Sequence, residues 1–347
     1  MQVDYILVGQ GICGTLLSYQ LMQRNISCVV LDEQLPNTAS KVASGVINPI
    51  TGRRFVKTWM IEELLPVAKQ TYQALEQFLN ISIFQETAVI DFHTTEQMQK
   101  AFVERSNNEK GFLKIDVNEN EFNKIFDIEY GVGKIETCYL IDINSLLENW
   151  RNKLIQSNTL IEEIFNEDEI VFQKNIVIYK NIKAKKIIYC NGIKAAQSKW
   201  FKHLPFVANK GEALIVDIPT LPKKYLYKNG ITIVPWKENL FWVGSSYEWN
   251  FNNEQPSIQF KERIETALKQ WLKIPFEIKE HIASIRPTNT ERRPFIGTLK
   301  HQPQIAIFNG MGTKGCSLAP FFCTELVNNL IENTPIHIEA DVNRFYK

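Results

Sequence analysis

The sequence has no surplus of charge of either sign. Its 347 residues include 39 lysines and arginines against 38 aspartates and glutamates, which leaves a formal net charge of +1 at pH 7. A protein that neutralises nucleic-acid phosphates needs an excess of cations. The balance therefore argues against a strongly basic nucleic-acid binder and leaves only a local basic patch open.

Cysteine pairs and long apolar runs are also missing. No CxxC pair occurs, so the sequence predicts neither a disulfide framework nor a metal site, and a reducing compartment fits this cysteine usage. The sequence has no run of about 18 uncharged apolar residues, so we expect no transmembrane helix. No basic leader precedes the apolar run Val3–Val8, so we predict no signal peptide and expect a soluble, cytoplasmic protein. The cysteines are Cys13, Cys28, Cys138, Cys190, Cys316 and Cys323.

The composition is that of an ordinary globular chain. Hydrophobic residues make up 44% and charged residues 22%, which excludes disordered, collagenous and fibrous classes. At roughly 150 residues per domain, the length predicts about two domains. The sequence contains no repeats, low-complexity segments or obvious linkers.

The first thirty residues carry the most specific pattern in the chain. The run Val3–Val8 is typical of a strand, and glycines spaced as GxGxxG follow it at positions 9, 11 and 14. A segment of helical periodicity comes next, and then a second apolar strand, Cys28–Leu31, that ends in Asp32 and Glu33. This strand–turn–helix–strand order is the context in which GxGxxG binds a dinucleotide.

Each glycine has a physical role in that motif. Gly9 allows a tight turn, Gly11 lets the backbone approach a pyrophosphate, and Gly14 lets the helix pack closely on the strand. The diphosphate would lie on free N–H groups at the start of the helix, near Ile12 and Cys13.

The acid at the end of the second strand fits the same site. Asp32 lies 23 residues after Gly9, close to the usual offset of an acid that bonds the adenosine ribose. An acid there favours an unphosphorylated 2′-hydroxyl. The motif therefore predicts nucleotide binding, and by itself it fits NAD as well as FAD.

Beyond this unit the pattern departs from simple βα alternation. Residues 35–57 look irregular, and the later strands are joined by short polar turns, which is typical of antiparallel pairing. We predict helices at Ile61–Leu79, Thr95–Asn107, Ile143–Leu154, Ile258–Leu272 and Leu318–Ile331. We predict further strands at Ala88–Phe92, Ile176–Tyr179, Ile187–Cys190, Gly211–Ile218, Gly230–Pro235, Leu240–Ser245, Glu277–Ile285 and Ile305–Phe308.

Several motifs occur in a specific order along the chain. They are DYILVGQGICGTLLSYQL with LDE after it, ASG at 43–45, KIIYCNG ending at Gly192, IVPWKENLFWVGSSYE, SIRPTNTERRPFIG and IAIFNGMGTKGCSLAP. Together they resemble the D-amino-acid oxidase (DAO) superfamily of FAD-dependent oxidoreductases, which includes glycine oxidase and sarcosine oxidase. The resemblance spans nearly the whole chain, although residues 85–180 match only in outline.

The resemblance implies bound FAD rather than diffusible NAD. The turn at 43–45 would lie along the phosphates or the flavin, and the loop before the last helix would approach the flavin ring. Backbone N–H groups at the start of the helix after Gly315 would stabilise negative charge on the reduced flavin. The predicted cofactor residues are Gly9, Gly11, Ile12, Cys13, Gly14, Asp32, Glu33, Ala43, Ser44, Gly45, Gly192, Gly310, Met311, Gly312, Thr313 and Lys314.

The mode of attachment and the fold class also follow from the resemblance. Sarcosine oxidase carries its flavin on a cysteine just before the position of Arg286, and Ile285 stands there in this chain, which implies non-covalent FAD. The implied fold is α/β, with a Rossmann-like FAD-binding domain of the GR2 type and an interleaved, smaller antiparallel-sheet substrate (cap) domain.

We expect each of these two domains to be assembled from separate segments. The FAD-binding domain is predicted to comprise residues 1–85, 135–205 and 286–347. The substrate domain is predicted to comprise residues 86–134 and 206–285, and it would cover the reactive side of the flavin.

A substrate carboxylate needs a fixed cation, and the planar fork of an arginine matches its two oxygens best. Arg286, in the Ile-Arg-Pro motif, is the first candidate by similarity to glycine oxidase, and Arg292 is a rival because other members place this arginine a few residues later. Lys314 matches a lysine that assists carboxylate binding in sarcosine oxidase. Arg53 or Arg54 could supply a partner cation. A structural arginine, a solvated lysine or a surface turn is the alternative for each.

Three further residues fall where relatives line their pockets. Tyr247 and Tyr227 match aromatic or polar wall positions, although plain packing is the common role of such tyrosines. Lys210 precedes Gly211, where relatives carry a basic residue, and we expect it at a domain contact or at the pocket rim.

The implied reaction is oxidation of a small amino acid or N-substituted amino acid to an imine, which then hydrolyses. A hydride equivalent would pass to flavin N5, and oxygen, a quinone or a protein would reoxidise the flavin. None of the five histidines lies in a motif, which disfavours hydroxy-acid oxidation because that reaction needs a base for the alcohol proton.

Two other function classes stay open. ASG at 43–45 and GMGTKGCSLAP also resemble the oxidase half of the bifunctional wobble-uridine tRNA-modification enzyme, although we expect no partner methyltransferase domain within these 347 residues and the charge is near neutral. The second is a flavin-binding module without turnover of its own, as a subunit of a larger dehydrogenase. Retention on a tRNA column would favour the first, and failure of every amine to bleach the flavin would favour the second.

Overall fold

Seven α-helices occur in residues 1–108 and 111–346, the part of the chain that the computed structural model describes. The helices are α1 (Ile12–Gln23), α2 (Ala39–Val42), α3 (Ile61–Leu79), α4 (Glu96–Asn108), α5 (Ile143–Gln156), α6 (Ile258–Trp271) and α7 (Gly315–Glu332). Four of these helices begin at a residue whose side chain accepts a hydrogen bond from a backbone amide of the first turn. The capping residues are Thr38 before α2, Thr95 before α4, Asp142 before α5 and Ser257 before α6.

The strands of the described residues form sheets of six, nine, three and two strands. They are β1 (Tyr5–Val8), β2 (Cys28–Asp32), β3 (Val46–Ile47), β4 (Ile50–Thr51), β5 (Val56–Lys57), β6 (Phe84–Phe92), β7 (Leu113–Lys114), β8 (Val132–Ile141), β9 (Leu160–Glu162), β10 (Ile170–Phe172), β11 (Val177–Tyr179), β12 (Ile182–Ala184), β13 (Lys186–Tyr189), β14 (Phe206–Asp217), β15 (Leu226–Asn229), β16 (Ile231–Pro235), β17 (Leu240–Gly244), β18 (Glu277–Asn289), β19 (Phe295–Leu299) and β20 (Gln302–Asn309).

The six-stranded sheet has the order β19-β20-β13-β1-β2-β9, and every pair except β19–β20 is parallel. Both faces of β1 are covered, which explains its unbroken apolar sequence. Leu7 packs in a core with helices α1, α3, α5 and α7, whereas Ile6 and Val8 pack on the other side with β11, β13 and β19. This layered arrangement confirms the predicted α/β class.

The nine-stranded sheet is largely antiparallel and has the order β18-β14-β17-β16-β15-β6-β8-β3, with β7 added beside β8. Alternate residues of β14 face opposite sides. Leu214 and Val216 pack beneath α6, whereas Ala213 and Ile215 pack with residues of segment 42–55 and of α4. Segment 42–55, which precedes α3, therefore joins the two sheets.

Three predicted domain boundaries fall inside strands, and the one after residue 85 cuts β6 (Phe84–Phe92). The boundary at 135 cuts β8, which sequence reasoning missed and which pairs with β6 and β3 in the nine-stranded sheet. The boundary at 286 cuts β18, which continues along β14 as far as Asn289. Residues 135–141 therefore pair within the large sheet, and the assignment of segments to two domains stays a prediction.

Candidate active site

The turn between β1 and α1 shows the close approaches that the GxGxxG spacing predicts. Gly9 has φ +99°, and a Cβ there would lie 2.8 Å from the carbonyl oxygen of Cys190. A Cβ on Gly14 would lie 1.9 Å from the carbonyl oxygen of Gly9, so only glycine lets α1 pack on the turn. The amide of Ile12, at the start of α1, donates a hydrogen bond to Oγ of Ser40 at 3.0 Å.

Asp32 is fixed from two sides at the end of β2. Its Oδ2 accepts a hydrogen bond from the amide of Gln10 at 2.8 Å, and its Oδ1 accepts one from Nη1 of Arg151 at 2.9 Å. Arg151 also pairs with Glu162 at 2.7 Å. The carboxylate charge of Asp32 is thereby compensated within the protein. Sequence reasoning does not find Arg151, because it lies on α5, remote from the motif.

A cavity of about 1010 Å³ extends from this turn to the nine-stranded sheet. It is as large as the largest sites of drug-sized ligands, which span about 300–1,000 Å³. Most of the predicted cofactor residues lie in its wall: Gly9, Gly11, Ile12, Cys13, Asp32, Glu33, Ala43, Ser44, Gly45, Gly192, Met311, Gly312 and Thr313. Within the described ranges, Gly14, Gly310 and Lys314 lie outside the wall, where the two glycines shape the backbone behind it.

The segment at 42–45 is held against the large sheet where it lines the cavity. Gly45 has φ +79°, and a Cβ there would lie 1.9 Å from the carbonyl oxygen of Ile141. The indole N–H of Trp242 on β17 donates to the carbonyl oxygen of Val42 at 3.0 Å, and both residues line the cavity. Sequence reasoning passed over Trp242 because a tryptophan in an apolar strand indicates only packing.

Arg286 lies in the same wall, opposite Asn209 in the β14–β18 register. Its Nη1 donates to Oδ1 of Asn209 at 2.6 Å and to the carbonyl oxygen of Ser246 at 3.1 Å. The guanidinium lies over Gly211, where a Cβ would come within 1.9 Å of Nη2. The ring centre of Tyr247 is 5.6 Å from its Cζ, so the predicted pocket tyrosine contacts Arg286.

The positive charge of Arg286 has no partner of opposite charge. Across residues 1–108 and 111–346, no carboxylate lies within ion-pair distance, and both hydrogen-bond acceptors of Nη1 are neutral. Burial lowers the pKa of this guanidinium, although an arginine keeps its proton in proteins. Of the two cations in the described wall, Lys194 pairs with Glu33, whereas Arg286 has no carboxylate partner. Asp32, in the same wall, is compensated by Arg151.

The other predicted cations lie away from the wall. Arg292 is exposed on the turn after β18, and Arg53 and Arg54 are exposed on the hairpin of β4 and β5. Lys314 directly precedes α7, where burial lowers its pKa and the charges of Arg292 and Arg293 lower it further. Of the predicted cations in the described part of the chain, Arg286 is the one that lines the cavity.

Tyr227 and Lys210 are directed to the other side of the large sheet. Tyr227 is buried in the core under α6, and its hydroxyl donates to the carbonyl oxygen of Pro222 at 2.8 Å, so packing rather than a pocket wall describes it. Lys210 is buried too, and its Nζ lies 3.1 Å from Oε1 of Glu212. Both positions follow from the alternation of side chains along a strand.

Three cysteines lie in the described cavity wall, Cys13, Cys190 and Cys316. Burial raises the pKa of Cys13 to about 12, the pKa of Cys316 to about 12 and the pKa of Cys190 well above its usual value. Burial thus favours the protonated thiol at all three positions, and a protonated thiol is a poor nucleophile. Ile285, which stands where sarcosine oxidase has its flavin cysteine, also lines the cavity.

The sequence profile of a known family matches most of the chain. The profile of DAO, described as FAD dependent oxidoreductase, matches residues 4–328. The chain belongs to the DAO family. The family is FAD-dependent, so the oxidoreductase class and the cofactor predicted from the motifs are confirmed.

Solved structures of other proteins share the fold at low sequence identity. A glycine oxidase from Geobacillus kaustophilus is 18% identical, with a TM-score of 0.82 over 99% of this chain and 98% of its own. An iminodiacetate oxidase from Chelativorans sp. BNC1 is 17% identical, with a TM-score of 0.75 over 96% and 97%. An L-alpha-glycerophosphate oxidase from Mycoplasma pneumoniae, solved with FAD bound, is 18% identical, with a TM-score of 0.70 over 96% of each chain.

The cavity residues of this DAO-family chain fit the family's cofactor. Oδ1 of Asn191 and Oε1 of Glu163 are buried in the wall without a hydrogen-bond partner in the described ranges. Buried polar atoms cost free energy unless a ligand or water satisfies them. Together with the glycine turn and Asp32, these unpaired oxygens are groups that a bound dinucleotide would satisfy.

Two further observations concern membrane-spanning helices and metal ligands. Among the helices that the structure describes, none is long and apolar enough to cross a membrane. The described residues include no group of three or more histidine, cysteine, aspartate or glutamate side chains that could hold a metal ion.

Proposed function

We propose that the chain binds FAD non-covalently and oxidises the C–N bond of a small amino acid or N-substituted amino acid. The observation that carries this proposal is Arg286, an uncompensated guanidinium in the wall of the cavity that also contains the dinucleotide turn. The solved neighbours include oxidases of glycine and iminodiacetate, which supports a small amine that carries a carboxylate.

The carboxylate is the part of the substrate that this chain is best equipped to hold. A desolvated cation without a partner is unfavourable, and an anionic ligand relieves that cost through charge-assisted hydrogen bonds. The bonds of Arg286 to Asn209 and Ser246 both use Nη1, which leaves Nη2 and Nε for the two oxygens of a carboxylate. The ring of Tyr247 lies beside the guanidinium, with its centre 5.6 Å from Cζ.

The chemistry then needs little from the side chains beyond binding and orientation. When bound, FAD accepts the hydride equivalent that leaves the substrate carbon as a C=N bond forms, and water later hydrolyses the imine. Arg286 would fix the carboxylate and so the direction of the adjacent C–H bond. An amine deprotonates in water before it binds, so no histidine is required in the wall as a base.

The proposal that FAD is not covalently attached rests on the nature of the wall. Ile285 has no nucleophilic atom, and burial raises the pKa of the three thiols in the wall, those of Cys13, Cys190 and Cys316, so that they stay protonated. Covalent flavin attachment through sulfur requires a thiolate. The described wall offers none at neutral pH.

The first experiment is the visible absorption spectrum of the purified protein before and after heat denaturation and centrifugation. We expect flavin bands that move to the supernatant, followed by anaerobic bleaching with a member of a panel of glycine, sarcosine, proline and iminodiacetate. Bands that stay with the pellet would refute non-covalent binding. No flavin even after addition of FAD would refute the oxidase proposal.

A further inference from the structure

The contacts of Arg286 point to a second residue that decides how this arginine works. Asn209 on β14 is fully buried and stands directly opposite Arg286 in the strand register. Its Oδ1 accepts the 2.6 Å hydrogen bond from Nη1 of Arg286. Its Nδ2 donates to the carbonyl oxygen of Glu248 at 3.1 Å.

These two bonds determine which way the amide of Asn209 faces. A carbonyl oxygen only accepts, so the side of the amide near Glu248 must be the NH₂ group. The amide oxygen is therefore directed at Nη1 of Arg286. One neutral side chain thereby links β14, β18 and the segment at 245–248, which follows β17, at the point where Arg286 enters the cavity.

The neutrality of this link matters for the charge of the site. A carboxylate at this distance would hold Nη1 equally well, and it would also neutralise the guanidinium. An amide orients the guanidinium and leaves its charge available to a ligand. The second acceptor of Nη1, the carbonyl oxygen of Ser246, is neutral as well.

We propose that Asn209 is the positioning residue of the anion site, which fixes the direction of Arg286 without neutralising it and so selects anionic substrates. This inference rests on the proposed function, in which Arg286 binds the substrate carboxylate. Asn209 acts through Arg286, so its effect appears in the affinity for anions rather than in FAD content.

The test compares two variants of nearly equal size. Asn209→Asp keeps the shape and the acceptor but adds a negative charge, whereas Asn209→Leu keeps the charge of the site but removes the acceptor. The probe is acetate, whose dissociation constant is read from the change in the flavin spectrum of the holoenzyme. Asn120→Asp, at an exposed position, is the control that carries the same change in net charge.

We expect Asn209→Asp to weaken acetate binding by about tenfold or more, because 1.4 kcal/mol of lost electrostatic attraction corresponds to a factor of ten. Asn209→Leu should weaken it less, and Asn120→Asp should leave it unchanged. A purely structural role predicts the opposite order, because aspartate is the gentler change in shape. Greater loss in the leucine variant than in the aspartate variant therefore overturns the inference.

Two further measurements keep this inference separate from the proposed function. Acetate affinity that does not fall in Arg286→Ala refutes the proposed carboxylate site and this inference with it, whereas loss in Arg286→Ala with wild-type affinity in Asn209→Asp refutes the inference alone. If the aspartate variant fails to retain FAD, the leucine variant decides, and an unchanged acetate affinity there overturns the proposal.

Discussion

Arg286 and Asp32 are charged side chains in one cavity, and they differ in whether a residue of opposite charge contacts them. Asp32 receives Arg151 as a partner at 2.9 Å, so its charge is compensated before any ligand binds. Arg286 receives only neutral oxygens. A compensated charge can accept hydrogen bonds from a neutral group such as a ribose, whereas an uncompensated one attracts an anion. The two side chains thus favour ligand groups of different charge, a neutral hydroxyl at Asp32 and an anion at Arg286.

At the residue scale, Arg286→Ala tests this difference. We expect kcat/KM for a carboxylate-bearing amine to fall about 100-fold or more, since truncating one partner of a desolvated charge pair costs about 2–5 kcal/mol. FAD content should not change. Steady-state kinetics and the flavin spectrum measure the two effects. The control is Arg292→Ala, which removes an exposed arginine outside the wall, and equal losses in both variants would contradict the assignment.

Sequence reasoning located residues whose role is local and missed those whose role depends on distant partners. Gly9 and Gly14 were identifiable because the turn that needs them lies within a few residues. Arg151 on α5 becomes part of the site only because α5 approaches β2, where Arg151 contacts Asp32. Asn209 becomes part of it only because β14 pairs with β18, which places Asn209 opposite Arg286. No spacing rule connects such positions.

At the scale of elements, successive side chains of β14 contact different neighbours, because they point to opposite faces of the sheet. Asn209 and Gly211 face Arg286, whereas Lys210 and Glu212 lie on the side of α6. The carboxylate of Glu212 accepts hydrogen bonds from the amide of Ser257 at 2.7 Å and from its hydroxyl at 2.8 Å. The start of α6 is therefore tied to the strand that orients the proposed anion site.

Glu212→Gln tests the strength of that connection. Burial raises the pKa of Glu212, but hydrogen bonds from Ser257 and Lys210 outweigh it and lower the pKa below the usual value. The variant should lose about 3–5 kcal/mol of unfolding free energy, because it leaves Lys210 buried without its counter-charge. Denaturant unfolding at pH 7 measures this loss.

The control for this variant is Glu265→Gln, which breaks the exposed pair with Lys269 and should cost less than about 1 kcal/mol. A depressed carboxyl pKa stabilises the fold above the unfolded-state pKa, near 4.5, and this stabilisation disappears as the pH falls through the folded-state pKa. The difference between wild type and Glu212→Gln should accordingly shrink in acid. A constant difference would contradict the role of the charge.

The helices are easier to predict than the strands that contain both polar and apolar residues. Helix α3 has the predicted bounds, because its apolar residues repeat with helical periodicity. Strand β8 is not predicted, because the alternation around Ile135 breaks at Thr137, which has φ +56° where the register with β6 shifts. Its identity is set by pairing with β6 and β3, which lie far away in sequence.

At the scale of the whole molecule, three histidines make stability depend on pH. Burial lowers the pKa of His93, His203 and His281. In the unfolded chain these histidines bind protons near pH 6.5, whereas in the folded chain they stay neutral to a lower pH. The free energy of unfolding therefore falls as the pH drops below about 6.5. We expect Tm to decrease between pH 7 and pH 5. Thermal unfolding of His93→Gln should show a smaller decrease, and a flat wild-type profile would contradict the prediction.

The order of the cavity wall along the chain has a consequence for how the protein is made. Gly9 and Gly11 leave the ribosome early, whereas Met311 and Gly312, which line the same cavity, are added near the end of synthesis. Strand β20 must also reach β13 across more than a hundred intervening residues. Such a topology has high contact order and folds slowly, because distant segments must meet before their contacts stabilise them. The cofactor can therefore be captured only after translation has passed the last helix, and a nascent chain has no cavity in which to hold it.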